Sequence, residues 1–540
     1  MPQFDVLVRG AQILDGTGAP PRTGDVGIVG DTIKAVGTLP QASATQTLEA
    51  PGLAVSPGFI DLHSHSDFTI LVNPAAESKV RQGVTLEVNG QCGFTPFPVR
   101  AGRQDELDAL CPFITEKPAW TWLRTSEYLS RVATARPSIS VGQLVGHSAL
   151  RAWVMGFDNR PATPKEIAGI AAVGAEALDE GALGISVGLA YPLGSFAADD
   201  EVEALAEVAA RKGKLFTVHL RSEGSKLVES VEAMIGIARR VSSLAPLRLQ
   251  IDHFKASGKR WWGNLPPAME VVEAAHQEGI DVGFDVYPYT AGSRHLSGSL
   301  PAWVHDGGNE AVMARLQDPD CRQRLRDELE EWKAGSDDPG IFQMDFDGLV
   351  ITEVATPENQ WTVGKSLTQI AQEKDADPLD VSFDLLVAEN GHVSIVQFSQ
   401  SEEVMRTCLK HPLGCVGTDS LVFAPYGPLS RGKPHPRAYG TFPRVIGRYA
   451  RDEGLMTISE AVRKCTSLPA SRLGLTDRGL IREGMKADLV VFDPQSLLDT
   501  ATYQDPHRYP LGIRYVLVNG VVTIDGSANR HPGVGTVLGA

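Results

Sequence analysis

The 540-residue sequence predicts an α/β fold: a (β/α)8 barrel of the TIM type with an insertion, plus a small β-sandwich domain formed by both ends of the chain. Three observations predict it. Near-continuous apolar runs alternate with helical stretches through the middle of the chain, as in a parallel sheet covered by helices on its faces. Both ends instead alternate branched apolar and polar residues between Gly, Asp and Asn turns, as in an antiparallel sheet. Finally, histidines, a cysteine and an aspartate recur where the apolar runs end.

The elements follow in order. The segments FDVLVRGAQILDGTG, GDVGIVGDTIKAVG and QTLEAPGLAVSPG, within residues 1–57, read as short strands. KADLVVFDP, IRYVLVNGVVTIDG and GVGTVLG, within 476–540, read alike. Neither end has enough strands to bury a core alone, so the two are expected to combine into one β-domain. The barrel is expected over 58–475. Its strands are the runs ending at His63 and Cys92, then SISVGQLVGH, GALGISVGLAY, KLFTVHLRSE, LRLQIDHFK, GIDVGFDVYPY, HVSIVQFS and LGCVGTDS. Helical segments such as PKEIAGIAAVGAEALDEG separate several of them, with apolar residues spaced three to four apart. An acidic, helix-rich stretch at about 290–348 breaks the rhythm and is expected to be an insertion.

Composition narrows the function. Hydrophobic residues make up 42% and charged residues 21%, an ordinary globular balance. The formal net charge of −16 repels phosphate backbones, so no nucleic-acid partner is expected. Six scattered cysteines (92, 111, 321, 408, 415 and 465) point to a reducing compartment. With no basic-then-apolar start and no long apolar run, a cytoplasmic protein without a membrane partner is expected.

In such a barrel the site lies at the carboxyl ends of the strands. There the sequence places His63 and His65, Cys92, His219, His253 and Asp419, a nitrogen, sulfur and carboxylate set suited to zinc. His63 and His65, two apart in an extended chain, share a face. Each residue has a plainer reading alone: a hydrogen-bonded core histidine, a small buried cysteine, an aspartate capping a turn. Five separate strand ends supplying this one selection points to a metal. Arg437 suits a substrate carboxylate, since a guanidinium fork matches one bidentately.

DLHSHSD, GVTLEVNGQCGFTP, GALGISVGLAYPLG, DVYPYTAGS, GTDS, GKPHPRAYGTFPRV and GLIREGMKADLVVFDP match, in order, the pattern of a known family. The sequence resembles the N-acyl-D-amino-acid deacylases, or D-aminoacylases, of the amidohydrolase superfamily. The resemblance implies a metal-dependent barrel with a sandwich of both termini, one or two zinc ions, and a small N-acyl amino acid as substrate. It implies His63 and His65 at one metal position and His219 and His253 at the other, with Cys92 shared or mainly at the second. Asp419 would be the general base and acid touching the metal and its water. Tyr191, Lys255, Tyr287, Ser293 and Arg437 would surround the substrate. Preference for the D-enantiomer comes from the resemblance alone. The sequence departs from the family pattern at AGSRHLSG, where Arg294 follows Ser293 in place of a small or hydroxyl residue; a second carboxylate on the substrate would suit it. The alternative is a cyclic-amide hydrolase of the dihydropyrimidinase or hydantoinase kind, which usually carries a bridging lysine instead of Cys92. A metal-free scaffold would have lost ligands, and none is lost. A homo-oligomer remains open.

Overall fold

The computed structural model describes residues 3–108, 117–191, 193–334, 346–530 and 533–540; Cys111 lies outside them. The central apolar runs form eight parallel strands: β1 (Phe59–Asp61), β2 (Val84–Asn89), β3 (Ser140–Gln143, continuing at Val145–Gly146), β4 (Gly184–Gly188), β5 (Leu215–His219), β6 (Arg248–Ile251), β7 (Asp281–Val286) and β8 (Gly414–Val416). Neighbours pair in chain order from β1 to β8. The ring closes where β8 runs back beside β1: Ser64 bridges to Ser420, the Asp419 N–H donates to His63 O at 2.8 Å, and the His65 N–H donates to Ser420 O at 3.1 Å. All six residues of β2 are buried, which explains why the sequence shows no alternation there: one face fills the barrel and the other meets helices. The helix Pro164–Asp179 starts as its sequence dictates, with Thr163 and Glu166 forming a capping box and Pro164 in its first turn.

Both chain ends meet in one nine-stranded sheet. Phe4–Ile13 pairs antiparallel with Arg22–Val29 on one side and parallel with Ala44–Glu49 and Ala54–Pro57 on the other. Ala54–Pro57 in turn pairs antiparallel with Leu489–Phe492. Period-two alternation sorts that last strand: Leu489 and Val491 join Val6, Val8, Ile28 and Leu517 in the core of the terminal domain, while Val490 and Phe492 pack into the barrel core. The end of the chain returns to the barrel, where Val141 pairs with Val537 beside β3.

The excursion between β7 and β8 is longer than expected. Its elements run past residue 348: HVSIVQFS supplies the strand Val393–Gln397, which pairs antiparallel with Gly292–His295 and Leu349–Val354. The expectation of a barrel strand there is corrected. The run is apolar because Val393 and Ile395 help fill a separate core with Leu296, Leu316, Ile351 and Leu386, and a short apolar run does not reveal which core it enters.

Candidate functional site

The loops leaving the strand ends bring the six expected donors together. From β1, His63 is fully buried, and its ring lies 5.3 Å from that of His65. The loop after β2 carries Cys92, whose Sγ lies 3.5 Å from His63 Nε2 and 3.5 Å from His253 Nε2. Asp419, beyond β8, places Oδ1 3.1 Å from His65 Nε2 and 3.6 Å from His63 Nε2. His219 ends β5, with its ring 4.5 Å from that of His253. Donor atoms of His63, Cys92 and His253 lie within 4.8 Å of one another, as do those of His63, His65 and Asp419. Cys92 therefore faces both histidine sets.

Three of these residues adopt left-handed backbone: Cys92 at φ 54°, His253 at φ 33° and Asp419 at φ 48°. Non-glycine residues rarely take this conformation, and it costs energy that the surroundings must supply. Here it turns each side chain inward just after a strand has ended. β6 stops at Ile251, so Lys255 reaches the cluster from the segment after the strand.

Two carboxylates absent from the sequence expectation orient the histidines. His63 Nδ1 lies 3.0 Å from Asp285 Oδ1, and His253 Nδ1 lies 2.9 Å from Glu223 Oε1. A proton on His63 Nδ1 directed at Asp285 leaves its Nε2 free to face the centre; His253 Nδ1 faces both Glu223 and Lys255 Nζ, the latter at 3.0 Å. Asp285 ends β7 and also accepts the His253 N–H at 2.9 Å. Glu223 binds Lys255 Nζ at 2.5 Å as well, so its charge is already matched. Asp285 sits at a strand end like the donors, a signal available in the sequence; nothing in the letters marks Glu223, which stands in a loop.

The electrostatics suit a cation. Burial pushes the Cys92 thiol up to about 12, His63 lowering it only in part, so a thiolate here calls for a bound cation. Burial likewise drives His219 well below the usual histidine range, keeping it neutral, and its Nδ1 is buried without a protein partner. Burial opposes the charge on Asp419, but Arg437 and His65 overcome it and hold the carboxyl well below its ordinary value. Thiol, neutral imidazoles and an ionised carboxylate are the donor chemistry zinc takes, so the residues present fit the metal.

Above the cluster opens a cavity of about 440 Å³, within the range of small-molecule sites. His65, Cys92, Tyr191, His253, Ser293, Arg294, Asp419 and Arg437 line it, whereas His63, His219, Lys255 and Tyr287 are not part of the lining. The Tyr191 ring lies 4.6 Å from that of His219. Arg437, buried, starts the helix Arg437–Arg444, with Nη1 2.8 Å from Asp419 Oδ2 and its guanidinium 4.6 Å from the centre of the Tyr287 ring. Tyr287 Oη accepts from Gln400 Nε2 at 2.8 Å. Arg294 donates from Nη2 to Ser299 Oγ at 3.0 Å, and its buried Nε has no protein partner.

The family model described as the amidohydrolase family matches residues 46–311 and 388–524, skipping much of the excursion between β7 and β8. The chain is 32% identical over 529 residues to N-acyl-D-glutamate deacylase of Alcaligenes xylosoxydans xylosoxydans, covering 98% of this chain and 95% of that protein. It is 32% identical over 536 residues to D-aminoacylase of the same organism, covering 99% and 97%. Among solved structures, N-acyl-D-glutamate deacylase from Bordetella bronchiseptica, complexed with zinc and a phosphonate mimic of the tetrahedral intermediate, matches with a TM-score of 0.82 and 30% identity, covering 99% of this chain and 100% of that one. The chain belongs to the amidohydrolase family and, within it, to the N-acyl-D-amino-acid deacylases.

Proposed function

We propose that the protein is a zinc-dependent deacylase that hydrolyses N-acyl-D-amino acids to a D-amino acid and a carboxylate, with acidic side chains preferred. The convergence of Cys92, His63, His65, His253 and Asp419 beneath the cavity carries the reading, and the deacylase relatives supply the substrate class. His63 and His65 with Asp419 would hold one zinc, and His219 and His253 a second, with Cys92 between them. Bound there, zinc supplies water acidic enough to attack an amide at neutral pH and a Lewis acid for the acyl carbonyl.

The chain's own groups do the rest. Asp419, ionised beside Arg437, accepts a proton from the attacking water and returns it to the nitrogen as the C–N bond breaks, so one carboxylate serves as base and then acid. Arg437 and Lys255 supply cationic partners for the α-carboxylate, and Tyr191, Tyr287 and Ser293 position the remainder of the substrate. The unpartnered Nε of Arg294 suits a side-chain carboxylate. A cytoplasmic location belongs to the same reading. The five described cysteines, all free thiols, support it, and no helix among the described residues is long and apolar enough to cross a membrane.

The test is a steady-state screen of N-acetyl-D-glutamate, N-acetyl-D-methionine and N-acetyl-L-glutamate on enzyme of measured zinc content. D-Glutamate release with kcat/KM well above the other two is expected. Preference for methionine would remove the role of Arg294, and preference for the L-substrate would remove the D-deacylase assignment.

A further inference from the structure

One fully buried cation takes no part in this mechanism. Lys79, in the short helix Glu77–Val80, has no exposed surface. Its Nζ shares its three protons among four acceptors: Asp61 Oδ2 at 2.7 Å, Thr418 Oγ1 at 2.7 Å, Ser64 Oγ at 3.0 Å and Ser420 O at 3.0 Å. Glu87 Oε2 lies 3.6 Å away. Asp61 in turn accepts the Thr418 N–H at 2.8 Å and the Thr418 hydroxyl at 2.6 Å, and Ser64 Oγ donates to Glu87 at 2.9 Å.

These partners straddle the seam where β8 meets β1. Asp61 and Ser64 belong to the β1 side and Thr418 and Ser420 to the β8 side. The backbone closes this seam with the single Ser64–Ser420 bridge and its two flanking hydrogen bonds, whereas β4 and β5 share a register of five paired positions. The donors stand on either side of the seam. His63 and His65 flank Ser64, and Asp419 lies between Thr418 and Ser420. The ammonium thus grips the chain neighbours of three donors from behind. Neither strand can slide along the other without leaving a buried charge short of partners, which a dry interior penalises heavily.

We infer that Lys79 is a positioning residue: it sets the spacing of Asp419 against His63 and His65, and so both the metal site and the proton transfer. The inference rests on the deacylase reading for its kinetic part only.

The test uses the double variant Asp61→Asn/Lys79→Met, which removes the ion pair as a unit with little change of shape and leaves Glu87 its hydrogen bonds from Ser64 and Ser66. Circular dichroism and the melting temperature establish the folded fraction. Zinc affinity is measured by competition with a chelator, and kcat and KM are measured with N-acetyl-D-glutamate. In folded protein, zinc affinity falls about 10- to 100-fold and kcat falls about 30-fold while KM stays within about twofold. A folded double variant with wild-type zinc affinity and kcat overturns the inference. Should it fail to fold, Thr418→Val decides by the same readouts, because it keeps both charges and cuts the two ties of the hydroxyl, to Lys79 and to Asp61; unchanged values again overturn the inference. Absence of wild-type turnover would sink the deacylase reading instead, leaving the zinc measurement as the test of Lys79.

Discussion

Cys92, His253 and Asp419 hold backbone conformations that ordinary residues avoid, each at a cost of about 1–3 kcal/mol. Their cluster at one point means the fold accepts strain to aim three side chains at a common centre. Replacing Asp419→Ala should abolish turnover while the zinc proposed at His219, His253 and Cys92 is retained; measurable kcat would remove the carboxylate from the proton path. Replacing Cys92→Ser should weaken zinc binding about 10-fold or more, because a hydroxyl gives up its proton far less readily than a thiol; unchanged zinc content on dialysis would assign Cys92 to packing. The convergence of the six candidate positions was readable in the sequence because each stands at or just after a strand end. Glu223 was not, because a carboxylate acting on the far nitrogen of a histidine follows no spacing rule. Nor was the Arg437–Asp419 ion pair, since the two residues come from segments whose approach only the closed barrel decides.

Among the elements, the loop that follows β2 depends on the bare backbone at the end of β4. A Cβ at Gly188 would lie 1.9 Å from Cys92 O, so Gly188→Ala must push the Cys92 loop out of place; a chelator titration should show zinc affinity reduced about 10-fold or more. Lys464 performs a different task. On the helix Ile458–Cys465, its Nζ donates to Gly414 O at 2.9 Å and to His411 O, holding the start of β8. Burial lowers Lys464 from 10.5 to about 8. Between those values the unfolded chain binds more protons than the native one, so this group makes the native state more stable as pH rises from 8 to 10.5 and less stable as pH falls. Against Lys464→Met, wild type should gain up to about 3 kcal/mol over that window in denaturant titrations; parallel curves would discard the shift. Strand identity was legible wherever an apolar run alternated with a helix. It failed at HVSIVQFS, since composition alone distinguishes neither parallel from antiparallel partners nor one core from another.

For the whole molecule, the sequence made the pairing of the two ends legible, because neither end could bury its alternating strands alone. It did not show the return of the last residues to β3, where the Gly535 N–H donates to Pro137 O and the Leu538 N–H to Val141 O. Removing residues 533–540 should lower the melting temperature by a few degrees and leave KM unchanged; an altered KM would mean the tail also shapes the cavity. One edge of the strand Ala54–Pro57 meets Phe4–Ile13, whereas the other finds its partner in Leu489–Phe492, more than four hundred positions later; the strand leads within two residues into the one that presents His63 and His65. During synthesis, the partner for that edge is therefore made more than four hundred residues after the strand that leads to His63 and His65. Nascent chains should emerge with that edge unmet, and a chain stalled before residue 489 should hold zinc less tightly than the full chain.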